Sequence, residues 1–385
     1  MKILSFVVRP VPVVVLAAAF LAGTTPAFAA SWKIVSSPNS GLSSFLYGVA
    51  AASSADVWAV GDTINSVGTY QALTEHWNGS SWSIVACPSV PGRHNYLGDA
   101  VALSSSDVWA TGYTNDGLSE QTLVEHWNGT SWSIVPSPNP GGTGIGQNNF
   151  LGNIAAVSPT DIWAVGFYTA GGTHQTLTVH WDGSSWSQVS SPNVNGDSFL
   201  NGVTAVASDD VWASGAYIDA SGAQRTLVEH WNGTSWSVVP SQSLNVNELL
   251  VQMSNAGGNV WAVGYSGTST TSRHTLVEEW NGAGFSVVAS PAPGTAYDGL
   301  NGVVATSATD AWATGYQAPT GGARRTLTEH WNGVAWSAVT SPNSGSGDNT
   351  LEGVGSAGGT TLWAAGFYYT KSQFAVSKTL LERYS

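Results

Sequence analysis

Thr122-Leu123-Val124-Glu125-His126-Trp127-Asn128-Gly129-Thr130-Ser131-Trp132-Ser133-Ile134-Val135 holds the pattern that decides the fold. Two short runs rich in β-branched and aromatic residues flank Asn-Gly, a pair that tolerates positive φ, so the stretch reads as two strands joined by a tight turn. The first run recurs with Trp77, Trp181, Trp231, Trp280 and Trp331, and Tyr384 takes that place in a seventh copy. The second recurs with Trp82, Trp186, Trp236 and Trp336, while Phe285 substitutes once and Trp32 opens an extra copy near the start of the chain. Upstream of each pair lies an apolar tripeptide centred on Trp and followed, one residue later, by Gly: Val57-Trp58-Ala59, Val108-Trp109-Ala110, and so on through Trp163, Trp212, Trp261, Trp312 and Trp363. These tryptophans are spaced 51, 54, 49, 49, 51 and 51 residues apart. All 19 Trp residues of the chain fall into the three signatures.

Each repeat therefore reads as four strands. A leucine (Leu46, Leu97, Leu151, Leu200, Leu249, Leu300 or Leu351) opens a run of small residues, strand a. A turn carrying Asp leads to the Trp-centred strand b, and the two runs quoted above supply strands c and d. The Asp (Asp56, Asp107, Asp161, Asp210 or Asp310) is expected to bond the backbone of its own turn. No helical periodicity appears after the N-terminal segment. Antiparallel units of about 50 residues, repeated in tandem, match the blades of a propeller. One such sheet cannot bury both faces alone; a ring of them can, with Trp filling the space that widens outward. The expectation is an all-β, seven-bladed β-propeller of four-stranded antiparallel blades. The chain ends after a strand c, at Tyr384-Ser385, and residues 31–35 form a strand d without a unit. Pairing the two would complete the last blade and leave no open edge. An open β-solenoid is the alternative, and it gives the split repeat no role.

The order Val-Trp-Ala-x-Gly followed by Val-Glu-His-Trp-Asn-Gly-Thr-Ser-Trp resembles the kelch repeat and the central propeller of galactose-oxidase-like proteins, most closely at residues 127–132. The departure is at the family's double glycine, where Gly is followed by Asp62, Tyr113, Phe167, Ala216, Tyr265, Tyr316 or Phe367. The resemblance implies a propeller and leaves function open, since this fold hosts lectins, enzymes and scaffolds.

The first 29 residues are unlike the rest. Lys2 and Arg9 precede an apolar run over 11–22, and Ala27-Phe28-Ala29 offers a small-x-small cleavage site. This is the layout of a secretory signal, too short to span a bilayer. The domain expectation is thus a signal peptide over 1–29 and the propeller over 30–385, with the chain exported and monomeric. Net charge is −13, and more negative without Lys2 and Arg9, which argues against nucleic acid as partner. Charged residues are only 9% of the chain, so Ser, Thr, Asn and Gly must carry solubility. The single Cys87 excludes an internal disulfide and stands where other repeats have Ser.

The Glu-His pairs of strand c (Glu75-His76, Glu125-His126, Glu229-His230, Glu329-His330) suggest acid–base or metal chemistry. Spread one to a repeat, they read instead as a satisfied polar ladder between blades. A copper centre would need His94, His174 and His274 to converge, and no ligand spacing supports one. No catalytic residue, metal site or cofactor is therefore expected. Asn78-Gly79-Ser80, Asn128-Gly129-Thr130 and Asn232-Gly233-Thr234 fit the glycosylation sequon, yet they are also the c–d turn itself. Cations gather before strand c in the later repeats, and Arg225, His274, Arg325 and Lys378 are the candidate binding residues for a glycan or an extracellular protein. Variable loops, such as 136–150, lie on the face carrying the d–a and b–c connections. A rigid frame with variable loops suits recognition. The functional expectation is a non-enzymatic binding or scaffold module, with a carbohydrate-active enzyme as the competing reading.

Overall fold

The computed structural model describes residues 30–269, 272–371 and 376–385. The leader expected over 1–29 lies outside the described residues. Every regular element described is a strand. The first repeat shows the pattern: strand a at Ser43–Ser53, strand b at Asp56–Ile64, strand c at Tyr70–Trp77 and strand d at Trp82–Val85, paired antiparallel in that order. Strand a of each repeat contacts strand a of the next, and Asn349–Ser356 returns to Ser43–Ser53, so the ring is closed.

The ends join as a strand ladder. Trp32 pairs with Tyr384, Lys33 with Arg383, Ile34 with Glu382 and Val35 with Leu381, which places Trp32–Val35 beside Ser377–Tyr384. The expectation of seven bladed sheets is corrected by the hydrogen bonding. Five four-stranded sheets stand free, whereas the strands from Ser198 to Val287 form a single eight-stranded sheet. The join is a parallel bridge between Gln224 and Asn247. There the Gln224 N–H donates to the carbonyl of Val246 at 3.0 Å and its side-chain amide to the carbonyl of Glu248 at 2.8 Å. The ring is thus five free-standing blades and one double sheet, a distinction that a repeat count cannot supply because it depends on bonds between repeats.

Tryptophan explains why the repeats pack. Trp58 of strand b is 1% exposed. On one side it meets His76 of its own repeat, with ring centroids 4.4 Å apart. On the other it meets Trp127 and Trp132 of the next repeat, at 4.8 and 5.2 Å. The same sandwich holds Trp109, Trp163 and Trp212, with Phe285 as the outer ring for the last. At the seam Trp312 lies between His330, Tyr384 and Trp32, so the N-terminal strand completes the last sandwich.

Asp at the start of strand b bonds differently from the sequence expectation. Asp210 Oδ1 accepts from Trp212 Nε1 at 2.7 Å and lies 2.9 Å from His230 Nε2. It clamps the two rings that stack, rather than its own turn. Asp210→Ala is expected to cost about 1–3 kcal/mol, because it strands two partly buried donors; a guanidinium denaturation curve superimposing on wild type would refute this. The c–d turn also differs. Four residues, 78–81, separate paired Trp77 and Trp82, and only Gly79 has positive φ. Asn78 Oδ1 accepts from the N–H of Ser80 and Ser81, an Asx turn that explains Asn or Asp at this position.

Candidate functional site

The glycine of strand b and the residues after the leucine of strand a together build the centre of the ring. In the first repeat Leu46 pairs with Gly61, and the next pair is Gly48 with Val60, leaving Tyr47 as an extra, bulged residue. A Cβ on Gly61 would collide with the carbonyl of Phe45, so the bulge requires glycine opposite. The same slip occurs at Gly98, Gly152, Asn201, Val251, Asn301 and Glu352. Bulges re-aim side chains, and the residues at and just after these bulges line a common cavity.

A cavity of about 210 Å³ results, lined by the bulged residues and, where the bulge is Gly or Val, by the residue that follows it: Tyr47, Asp99, Asn153, Asn201, Gln252, Asn301 and Glu352 supply its larger side chains. Several of the amides also brace neighbouring inner strands. Asn153 Oδ1 accepts from the N–H of Val203, Gln252 Oε1 from that of Val303, and Asn301 Nδ2 donates to the carbonyl of Leu351. The Asn201 side chain makes no hydrogen bond among the described residues and is available to a ligand.

The cavity adjoins an aromatic groove of about 430 Å³ that shares Tyr47, Gly98 and Phe150 with it and adds Tyr70, Tyr96 and Tyr113. Tyr96 stacks on Tyr113 at 4.7 Å and Phe150 on Phe167 at 5.1 Å, while Tyr113 and Phe150 are 5.0 Å apart. These rings come from two register positions, the residue before the strand-a leucine and the residue after the strand-b glycine, which face each other across the sheet.

Two carboxyls, Asp99 and Glu352, line the well, and a third, Asp62, is buried beside Tyr47. Burial pushes Asp62, Asp99 and Glu352 each up to about 7. The Tyr47 phenol pulls Asp62 back slightly, and is itself raised by burial and then by Asp62 and Glu352. Near neutral pH these groups offer both donors and acceptors. The site is therefore a polar, amide-rich well under a rim of flat apolar faces.

The four sequence-predicted binding residues fall elsewhere. Arg225, His274, Arg325 and Lys378 occupy equivalent register positions, opposite Tyr217, Ser266, Gln317 and Tyr368, one to a repeat. None lines either cavity. Arg225 is held by Asp219, with Nε to Oδ2 at 2.9 Å, and His274 Nδ1 lies 3.6 Å from Asp298 Oδ2. Arg325 and Lys378 are exposed.

Among the described residues no group of His, Cys, Asp and Glu could hold a metal ion. Cys87 is half-buried against the cluster around Trp58 and Leu97, and burial pushes its thiol up, which keeps it protonated. The strand-c glutamates are not the satisfied ladder expected. Glu75, Glu125, Glu229 and Glu329 are fully buried, neither oxygen of any of them forms a well-aligned hydrogen bond among the described residues, and burial raises each to about 8, with Ser37 and Ser191 pulling Glu75 and Glu229 partly back. Glu278 has one bond, from Ser241 Oγ at 2.8 Å.

Sequence reasoning missed the well. In the fifth repeat the leucine opposite the strand-b glycine is Leu250, not the expected Leu249. With that register the signal was present, since the two residues after the strand-a leucine contain one glycine in every repeat but Val251-Gln252, while the partner varies among Tyr, Asp, Asn and Glu.

No family model matches the chain, and no curated protein matches it. Solved structures do. YCF48 bound to D1 peptide is similar at 12% identity over 92% of this chain and 94% of that one, with a TM-score of 0.53. YCF48 from Cyanidioschyzon merolae is similar at 13% identity over 92% and 98%, also with a TM-score of 0.53. A protein of unknown function from Dyadobacter fermentans is similar at 9% identity over 92% and 99%, with a TM-score of 0.52. At these identities the likeness shows the fold alone, a β-propeller. No helix among the described residues is long and apolar enough to cross a membrane.

Proposed function

We propose that this chain is an exported binding protein that takes an extended protein segment across the aromatic groove and into the central well. The observation that carries the reading is that the two cavities adjoin, sharing Tyr47, Gly98 and Phe150 in their walls. Aromatic faces desolvate side chains of a segment cheaply, and the Asn201 amide with the remaining donors and acceptors of the well below them satisfies its backbone. A propeller of similar fold has been solved with a peptide bound, which supports this class of partner. The leader-like N-terminus supports export, and the kelch-like repeat supports placing the chain with other propellers of that type. Arg225, His274, Arg325 and Lys378 would form an outer steering rim for an acidic partner.

The test is a random twelve-residue display library panned against the protein. Selected segments are expected to bind wild type and to lose about tenfold or more in affinity with Tyr113→Ala. Reversing the charge of Arg225, Arg325 and Lys378 together is expected to slow association, with a smaller effect on dissociation. Failure of the library to enrich any segment, alongside binding on a glycan array, would replace this partner class.

Two carboxyls at about 7 in one cavity, Asp99 and Glu352, also suit general acid–base work, which keeps a carbohydrate-active enzyme as the second reading. Turnover of a polysaccharide panel, abolished by Glu352→Gln, would establish it.

A further inference from the structure

Across the ring from the aromatic groove, the rim changes character. Tyr265 and Tyr316 hold the same position after the strand-b glycine as Tyr113, but arginines stand against them. Arg273 Cζ lies 3.9 Å from the centre of the Tyr265 ring, and its Nη2 donates to Tyr316 Oη at 2.7 Å. Arg324 Cζ lies 4.7 Å from the Tyr316 ring and 5.3 Å from that of Tyr297, and its Nε donates to Tyr297 Oη at 2.8 Å. Both guanidinium groups thus share one tyrosine pair, whose rings are 5.6 Å apart.

The packing that allows this is specific to the sixth repeat. Where the groove repeats have an aromatic before the strand-a leucine, this one has Gly299, and a Cβ there would stand 2.8 Å from Tyr316 Oη. The missing side chain lets Tyr316 lie almost fully buried between the two arginines.

The charge of these arginines is not neutralised by contact. Among the described residues Arg93 and Arg225 are ion-paired, to Asp116 and Asp219, while neither Arg273 nor Arg324 forms an ion pair. Asp348 is near but spends Oδ1 on the Arg324 backbone N–H at 2.9 Å. Among the described residues Arg273 Nε is buried without a partner. In a chain of net charge −13, two cations held rigid by tyrosines, with donor groups unspent, form a pre-organised oxyanion receptor.

We propose that Arg273 and Arg324, braced by Tyr265, Tyr297 and Tyr316, form a subsite that binds a carboxylate of the partner segment. This rests on the segment-binding reading for its biological ligand. The carboxylate is either an acidic side chain or a free C-terminus. Planar two-oxygen groups match the guanidinium fork, and the aromatic setting lowers competition from water.

The experiment observes arginine Nε–Hε resonances of the full chain by NMR during titration with four probes: acetate, acetyl-Gly-Asp-Gly-amide, acetyl-Gly-Gly-Gly with a free carboxylate, and neutral acetyl-Gly-Asn-Gly-amide. Saturable shifts at Arg273 and Arg324 are expected with acetate and with at least one carboxylate peptide, and none with the Asn peptide. The two carboxylate peptides separate side chain from C-terminus by their relative affinity. Arg324→Gln is expected to weaken acetate about tenfold, and Tyr316→Phe, which removes only the brace on Arg273, about threefold. Absence of shifts with acetate, or equal shifts with the neutral peptide, overturns the proposal. Acetate binding needs no partner segment, so such a failure leaves the library result standing on its own, and the reverse outcome would sink the segment reading alone.

Discussion

Removing Trp32–Val35 is expected to lower the thermal midpoint by about 10 °C or more and to make the protein self-associate. The strand supplies the outer ladder of Ser377–Tyr384. Without it Leu380 and Leu381, each at most 1% exposed, lose their cover, and a row of backbone groups opens to other chains. Trp32 itself is 5% exposed and packs 5.8 Å from Trp312 and 5.5 Å from Tyr384. Trp32→Ala alone should cost about 3–5 kcal/mol through lost burial and the cavity left behind. At roughly 2 °C per kcal/mol for a domain of this size, that is most of the effect. Ile34→Ala is the internal control, since Ile34 is 42% exposed and should change little. Calorimetry and size exclusion read both quantities. An unchanged midpoint and elution volume for the truncated chain would show that the seam carries no load.

Acidic conditions are expected to stabilise this protein, and mild alkali to weaken it. Glu75, Glu125, Glu229, Glu278, Glu329 and Glu382 sit on strand c with pKa values raised from 4.5 to about 8, chiefly by burial. The folded state thus holds protons that the unfolded chain releases above 4.5. Stability from these groups is whole below 4.5, falls as pH rises from there, and is spent once pH passes about 8. One such group, fully expressed, is worth about 1.4 kcal/mol per pH unit. From pH 5 to pH 8 that single group would remove about 4 kcal/mol, or roughly 8 °C. Asp182, lowered to about 2 by Ser184 and the N–H groups of its turn, works in the opposite sense, but only below pH 4. Thermal scans from pH 5 to 9 should therefore slope downward, and Glu125→Gln with Glu229→Gln should flatten the slope by keeping the shape and removing the charge. A midpoint that rises or stays level over this range would contradict the assignment of these residues as neutral acids.

The same glutamates mark where local pattern stops being informative. Glu125-His126 reads alike in every repeat that has it, yet the two side chains face opposite ways. His126 stacks on Trp109 and bonds Asp107 at 2.8 Å, and Glu125 is buried without a partner among the described residues. Strand periodicity shows that they alternate, but whether the far side is water, a partner or a dry interface depends on the neighbouring sheet. The cations show the same limit. Arg225 and Arg325 stand out from composition, yet Arg273 and Arg324, one residue earlier than the equivalent position in their repeats, are the ones gathered around shared tyrosines.

Sequence by itself determined the repeat, the strand order within it and the Trp wedge, because each rests on period-two alternation and turn chemistry within about 50 residues, and it determined the pairing of the chain's two ends because one repeat is split between them. Tertiary structure alone decided the rest. The bulge after each strand-a leucine sets the residues at and just after it around one well, Gln224 ties two repeats into a double sheet, and Gly299 frees Tyr316 to meet two arginines. Those outcomes depend on which backbones approach closely across repeats, and such distances exist only once the ring has closed.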